Sequence, residues 1–409
     1  VRFRRSLLLF LAILGPGLIS ALAGNDAGGV ATYAQAGAAY GYSLLWSLVL
    51  IMFALAFVQE MCARMGAVTG KGLGELIREE YGVRWTMLAL AIMAVANLVT
   101  TMAEFSGIAA GMQLFGVSKY LSVPIAGLCV WLIVVLWSFR RIEKFFLALC
   151  AVFVTYIFAG FMARPDWGEV LRGSLIPTVE LSSGQVLLLL AVIGTSITPW
   201  MQFFVQSTIV DKGIKIGEYR YQRYDVIFGA VAMTVFAFFI VVATAAVLHG
   251  KVAWITTAQQ AALALRPAAG RAAELLFTVG LANASLLAAA VLPVATAYAF
   301  CEAFGWEMGL SKRFGQARGF FGIFTFCLVV GMAVALIPKL PLIHMMVLSQ
   351  NINGILLPVV LIFILGLVNN KRVMGDMTNS GAANIIGWAT VVCVVAATVA
   401  FGVLSAASI

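Results

Sequence analysis

The sequence predicts an all-α polytopic membrane protein. Three observations predict it: an apolar composition, eleven apolar runs long enough to cross a bilayer, and a one-sided distribution of basic residues. Of 409 residues, 63% are hydrophobic and 11% are charged, against about 45–50% and about 25% in a soluble domain. A soluble fold this apolar would leave greasy surface in water, so lipid is the solvent that fits.

A spanning helix takes roughly 20 apolar residues. Segments 1 to 11 of that kind lie at about 7–36, 42–66, 85–115, 122–139, 144–163, 185–210, 225–248, 271–303, 317–337, 342–367 and 383–407. Connections are short, carry most of the charge and leave no place for a soluble domain. The first run follows Arg2, Arg4 and Arg5 without a small-residue cleavage site, so it reads as a spanning segment. With the N-terminus inside, 19 of the 26 Lys and Arg residues fall on the cytoplasmic side and 7 on the other. That bias puts the N-terminus in the cytoplasm and the C-terminus outside. It also accounts for the net charge of +9 without a nucleic-acid partner, because no basic stripe with interleaved aromatics is present.

Six cysteines stand singly in apolar stretches and only two histidines exist, His249 and His344. Neither a disulfide framework nor a thiolate or histidine metal centre is expected. No cofactor and no obligate protein partner is evident.

Two segments look broken. Segment 1 carries Gly24-Asn25-Asp26-Ala27-Gly28-Gly29 near its middle, and segment 6 carries Gly194-Thr195-Ser196-Ile197-Thr198-Pro199-Trp200. Gly and Pro release backbone groups from a helix, and such groups are tolerated at membrane depth only where protein or a water-filled cavity satisfies them. Breaks at corresponding positions of two halves point to a transport site. Segments 1–5 (1–163) and 6–10 (185–367) are then expected to be inverted five-helix repeats, with segment 11 (383–407) an addition.

Asp26 is the leading candidate. A carboxylate near the bilayer centre costs at least ~2.5–3.5 kcal/mol on insertion scales, so it has a partner or a task. It reads as a cation ligand, a role compatible with capping the second half of segment 1. Segment 6 would add the freed Thr195 carbonyl and the Thr198 hydroxyl, both hard oxygen donors suited to Mg²⁺, Ca²⁺ or Mn²⁺. The bland alternative is a proline kink with threonines bonding back to their own helix. Glu104 in segment 3, and Gln350 and Asn353 in segment 10, are polar at membrane depth. They read equally as cation-path residues or as interhelical hydrogen bonds. Asn25 is a further candidate beside Asp26. Gly107 and Gly111 suggest close helix packing, and Glu60 with Arg64 a structural ion pair at the cytoplasmic rim.

Several stretches resemble the Nramp (natural resistance-associated macrophage protein) family of divalent-metal transporters. Gly15-Pro16-Gly17, Asp26-Ala27-Gly28-Gly29-Val30-Ala31-Thr32 and Gln35-Ala36-Gly37 resemble its first-helix signature. Gln59 to Glu75, with Arg64-Met65-Gly66 and Thr69-Gly70-Lys71, is similar to its second helix and following loop. Leu348-Ser349-Gln350 through Leu357-Pro358, then Lys371-Arg372-Val373-Met374-Gly375, is similar to its tenth helix and exit. The resemblance implies a LeuT-like fold with helices 1 and 6 unwound at mid-membrane.

Departures from the family pattern narrow the expectation. The aspartate is kept as Asp26, but the family's proline becomes Ala27 and its asparagine ligand becomes Gly29. The family's Met-Pro-His appears as Thr198-Pro199-Trp200, so a thioether gives way to a hydroxyl and an imidazole to an indole that takes no proton. Thr101 precedes Glu104 where the family often has an aspartate. Without thioether and asparagine, the site is expected to be wider and harder, with Gly29 leaving space for a hydration shell and Gln350 lining the cavity. Mg²⁺ dehydrates reluctantly and is held through one or two carboxylates. The pattern is similar to the prokaryotic Nramp-related magnesium transporter branch, which implies the plasma (inner) membrane of a prokaryote. The expected activity is import of Mg²⁺, with Mn²⁺ secondary, without tight proton coupling. Two charges crossing 100 mV are worth about 4.6 kcal/mol, enough to drive accumulation. The rival readings are a proton-coupled Mn²⁺ or Fe²⁺ importer, an amino-acid or organic-cation carrier, and a non-transporting relative. An enzyme is disfavoured because no nucleophile–base pair is visible.

Overall fold

A computed structural model describes residues 15–137, 141–142, 144–145, 148, 153–179, 182–266, 270 and 273–407. These residues form helices and connections, with no strand among them. Helices α1 (Pro16–Leu22) and α2 (Ala27–Tyr40) make up segment 1. Next come α3 (Leu45–Thr69), α4 (Leu73–Gln113), α5 (Lys119–Leu136), α6 (Val154–Met162) and the short α7 (Trp167–Leu175). Segment 6 is α8 (Ser183–Ser196) and α9 (Pro199–Asp211). The chain continues through α10 (Tyr219–Leu248), α11 (Ala258–Ala262), α12 (Ala273–Phe304), α13 (Arg318–Ala335), α14 (Leu342–Val368), α15 (Lys371–Met374) and α16 (Gly381–Ala407).

Among the described residues, nine spans are long and apolar enough to cross a membrane. They answer to segments 2–4 and 6–11. The expected start of segment 1 at 7–14, parts of segment 5, and Arg2, Arg4, Arg5, Arg140, Cys150 and Arg271 lie outside the described residues. Segment 3 begins earlier than expected, because α4 runs through a kink at Gly82 (φ 77°) that only glycine adopts without strain.

Burial sorts the helices. In α12, 89% of the spanning window is buried, against 11% in α16. The former is the central post, packed along α4, and the latter lies at the periphery against α14 and α8. The expected Glu60–Arg64 pair forms at 3.2 Å, and Arg64 also donates to the carbonyls of Met377 and Thr378. Of the glycine pair, Gly107 marks a close approach. A Cβ there would stand 2.4 Å from Ala27 Cβ, whereas one on Gly111 would make ordinary contact at 3.4 Å.

Helix α1 has no side-chain cap of its own. Buried Asp225 of α10 supplies one, accepting from the N–H groups of Gly15 (3.1 Å), Gly17 (2.7 Å) and Leu18 (3.3 Å). Gln222 also donates to it at 2.7 Å. Replacing Asp225 with Ala strands these buried donors, at a cost of about 3 kcal/mol. Thermal unfolding in detergent should show a lowered midpoint for Asp225→Ala and partial recovery for Asp225→Asn. An unchanged midpoint would contradict this capping role.

Candidate functional site

The two breaks lie against each other in the interior. Segment 1 leaves the helix between Leu22 and Ala27, and segment 6 between Ser196 and Pro199. Asp26 ends the first break in an extended conformation as the N-cap of α2, accepting from Gly29 N–H at 2.5 Å. Ile197 (φ −123°, ψ 67°) and Thr198 (φ −73°, ψ 147°) form the second. Pro199 opens α9 and has no N–H, so the Thr195 carbonyl loses the partner it would have in a continuous helix.

Asp26, Glu104, Thr195, Thr198, Gln350 and Asn353 are all fully buried. Glu104 reaches across from α4, accepts from Ala27 N–H at 3.0 Å and lies beside the Asp26 carboxyl. Its second oxygen, Oε1, has no hydrogen-bond partner. The path and packing readings of Glu104 therefore meet in one place: it makes an interhelical hydrogen bond and sits at the leading candidate residue. Gln350 of α14 donates through Nε2 to both Asp26 oxygens, at 3.2 and 3.3 Å. Gly28 permits the crossing, because a Cβ there would fall 2.0 Å from that nitrogen. Asn353 Nδ2 holds the Gln350 oxygen at 3.0 Å and donates to Thr100 Oγ1 at 3.0 Å. Gln350 thus meets Asp26 as a donor, while Asn353 orients it from behind.

The two threonines do not bond back to their own helix. Thr195 Oγ1 donates to the Gly24 carbonyl at 3.0 Å, tying the breaks together. Thr198 Oγ1 is buried without a partner, a strained position for a hydroxyl unless a ligand satisfies it.

Gly29 requires a correction. It was expected to leave room for water around the ion, but a Cβ there would stand 2.7 Å from both the Gly24 carbonyl and Thr195 Oγ1 and 3.2 Å from Asp26 Oδ1. The missing side chain lets the two breaks pack against each other. Asn25 is also placed differently from a ligand facing Asp26. Its Nδ2 donates to the Met233 carbonyl of α10 at 3.2 Å, although its oxygen stays unpaired. Ala27 is fully buried and contributes its N–H to Glu104. Trp200 is fully buried with its Nε1 unpaired, and packs edge-on to Phe204.

Three neighbours were not anticipated. Tyr33 hydroxyl pairs with Ser196 Oγ at 2.9 Å. Gln59 Nε2 donates to Ser20 Oγ at 3.3 Å. Met201, one turn beyond Thr198, brings its methyl within 2.1 Å of where a Gly24 Cβ would stand. Its sulfur lies 3.9 Å from Gln59 Nε2. Ser20 lies one turn before the Gly24 break and Gln59 is a lone polar residue in the apolar α3, marks that could have flagged them, whereas a methionine in an apolar run carries no such mark.

Carboxylate, hydroxyl and amide groups thus lie at or beside the two opened helices. Residues 17–404 match the family described as natural resistance-associated macrophage protein-like. This chain belongs to the Nramp family. Membership makes it a multi-pass membrane transporter and not an enzyme.

Two relatives are the divalent metal cation transporters MntH of Yersinia enterocolitica and Erwinia tasmaniensis. The first is 30% identical over 415 residues, covering 96% of this chain and 95% of the relative. The second is 30% identical over 413 residues, covering 94% and 92%. Among solved structures, the manganese transporter of Eremococcus coleocola in complex with an aromatic bis-isothiourea compound superposes with a TM-score of 0.76. It is 22% identical, with 95% of this chain and 85% of that one covered. Mhp1, a nucleobase-cation-symport-1 family transporter in a closed conformation, gives 0.57 at 14% identity, with 96% and 93% covered. These likenesses establish the LeuT-like fold. Ala27, Gly29, Thr198 and Trp200, four of the positions at which the sequence was expected to depart from the family pattern, are all buried around the breaks.

Proposed function

We propose that this chain imports divalent cations by alternating access, principally Mg²⁺ and secondarily Mn²⁺. One observation carries the reading. The two opened helices are tied together by Thr195 Oγ1 on the Gly24 carbonyl at 3.0 Å, with Asp26 at the end of the first break, and with the Thr195 carbonyl freed by Pro199 and the buried, unpaired Thr198 hydroxyl in the second. Hard oxygen donors around one anchoring carboxylate suit Mg²⁺. Likeness to the divalent metal cation transporters MntH supports divalent metals as the substrate class. In this reading Gln350 releases Asp26 when the ion arrives, and Asn353 keeps the amide in place. Residues 1–163 and 185–367 act as inverted repeats that rock about the site, with residues 383–407 outside the moving core. The N-terminus is cytoplasmic, the C-terminus extracellular, and the membrane is the inner membrane of a prokaryote. Lipid and the cation are its partners.

Import is driven by membrane potential and ion gradient, without tight proton coupling. A second reading, proton-coupled Mn²⁺ transport, is favoured by the Glu104 carboxyl lying beside that of Asp26. Two neighbouring carboxyls repel when both are charged, and a shared proton relieves that repulsion as a cation does. Proteoliposomes given Mg²⁺, Mn²⁺ or Ca²⁺ under an inside-negative potential separate the two. The leading reading expects Mg²⁺ and Mn²⁺ uptake with constant internal pH, and millimolar Mg²⁺ competing with micromolar Mn²⁺. Acidification that tracks uptake supports the second reading, and absence of Mg²⁺ uptake overturns the first.

A further inference from the structure

We infer that a cleft between α3, α10 and the connection into α16 binds the headgroup of a phospholipid that carries both a phosphate and a primary ammonium, as phosphatidylethanolamine does. The inference is independent of the cation site. The cleft has a volume of about 360 Å³ and lies where α3 nears its end and α10 begins. Two cations, Arg64 and Arg223, and two anions, Glu60 and Asp376, line it. Arg64 and Glu60 are already engaged. They pair at 3.2 Å, the Tyr219 hydroxyl donates to Glu60, and Arg64 donates to the carbonyls of Met377 and Thr378. Arg223 and Asp376 are exposed, and neither makes a hydrogen bond or an ion pair with another described residue. The mouth of the cleft thus offers one charge of each sign to whatever enters it.

Apolar surface continues from the charged mouth. Phe57 of α3 and Ile227 of α10 line the cleft. At helical spacing from them, α3 exposes Phe53 and Leu50, and α10 exposes Val231. The two helices pack together, so these side chains form a track that leads from the mouth into the span. A soluble phosphate or a free zwitterion would use the mouth and leave the track bare, whereas a phospholipid uses both. Arginine grips phosphate through paired N–H donors, and a primary ammonium donates hydrogen bonds to a carboxylate. A choline headgroup has no N–H to give Asp376, and a glycerol headgroup has no cation to set against it. The balance of charge therefore selects the zwitterion with a primary ammonium. A headgroup held this way bridges α10 to the connection before α16.

Native mass spectrometry of the detergent-purified chain tests this, with phosphatidylethanolamine, phosphatidylcholine and phosphatidylglycerol added at equal concentration. Wild type should retain phosphatidylethanolamine about threefold better than the other two, the effect of one exposed charge pair. Arg223→Gln should lower that retention about tenfold, the loss of a charge-assisted phosphate contact. Asp376→Asn should bring it down to that of phosphatidylcholine and leave phosphatidylcholine as it was. Neither change removes a hydrogen bond of the folded chain, and the wild-type comparison stands whether or not the variants fold. Glycerophosphoethanolamine, which has the headgroup without the chains, should fail to displace the lipid even in excess. Displacement by it, or by inorganic phosphate, would make the cleft a soluble-phosphate site and overturn the inference. Preferential retention of phosphatidylglycerol would mark an anionic-lipid site and overturn it too. Equal retention of all three lipids by wild type and both variants would reduce the cleft to ordinary lipid-facing surface.

Discussion

Asp26→Asn should reduce Mg²⁺ and Mn²⁺ uptake to that of protein-free vesicles. Asparagine is the informative replacement because Asp26 has two tasks. It caps α2 through Gly29 N–H at 2.5 Å, and asparagine caps as well as aspartate, whereas alanine would cost about 1 kcal/mol of helix stability. The variant keeps the shape and one acceptor oxygen for Gly29 N–H, removes the negative charge, and replaces one of the two oxygens that accept from Gln350 Nε2 with an amide nitrogen. Asp26→Ala should also abolish uptake, with a small fall in thermal stability. Uptake within threefold of wild type for Asp26→Asn, with a normal elution profile, would mean that the carboxylate does not anchor the ion.

Gly194→Ala should give the largest structural effect of any single methyl addition near the site. A Cβ at 194 would stand 2.0 Å from the Gln350 carbonyl, 2.5 Å from Gly354 N and 2.9 Å from Gly354 Cα. All three atoms are backbone, so no rotamer change relieves the clash. Helices α8 and α14 must separate, and overpacking of this kind costs about 1–3 kcal/mol or more. The same separation draws Gln350 away from Asp26. Both the unfolding midpoint and the uptake rate should fall. Gly217→Ala, with nothing within 4 Å of its Cβ, serves as the control and should match wild type. A Gly194→Ala variant with wild-type midpoint and uptake would contradict the close packing described here.

Much of the fold is legible because lipid imposes a simple code. Runs of apolar residues mark the spans, and basic residues mark their ends. The breaks are legible for the same reason, since Gly24, Gly28, Gly29 and Pro199 stand out against sequence that has no other cause to interrupt a helix. The residues brought together are less so. Glu104 and Ala27 are separated by 77 positions and Gln350 and Asp26 by 324, and no local pattern pairs them. Sequence also misjudges space. An absent side chain at Gly29 reads as room, yet the fold spends that absence on bringing the Gly24 carbonyl and Thr195 Oγ1 together. Met201 went unnoticed because an apolar helix in lipid is full of residues of its kind. Asn25 was read beside Asp26 along the chain, but the extended backbone of the break turns neighbouring side chains to different helices.

The first turn of α2, which donates Gly29 N–H to Asp26 and Ala27 N–H to Glu104, has a consequence for turnover. Asp26 and Glu104 both accept from the first turn of that helix, whose end carries roughly half a positive charge. Part of the negative charge of the pair is thereby spent within the protein before any ion arrives. On the proposed reading, a passing cation would then meet a shallower well than two unopposed carboxylates would make. A carrier must let go as readily as it captures, and a deeper well would lengthen the residence of the ion until release limited every cycle. The helix end that presents the carboxylates also tempers them, and on the proposed reading would speed release of the ion.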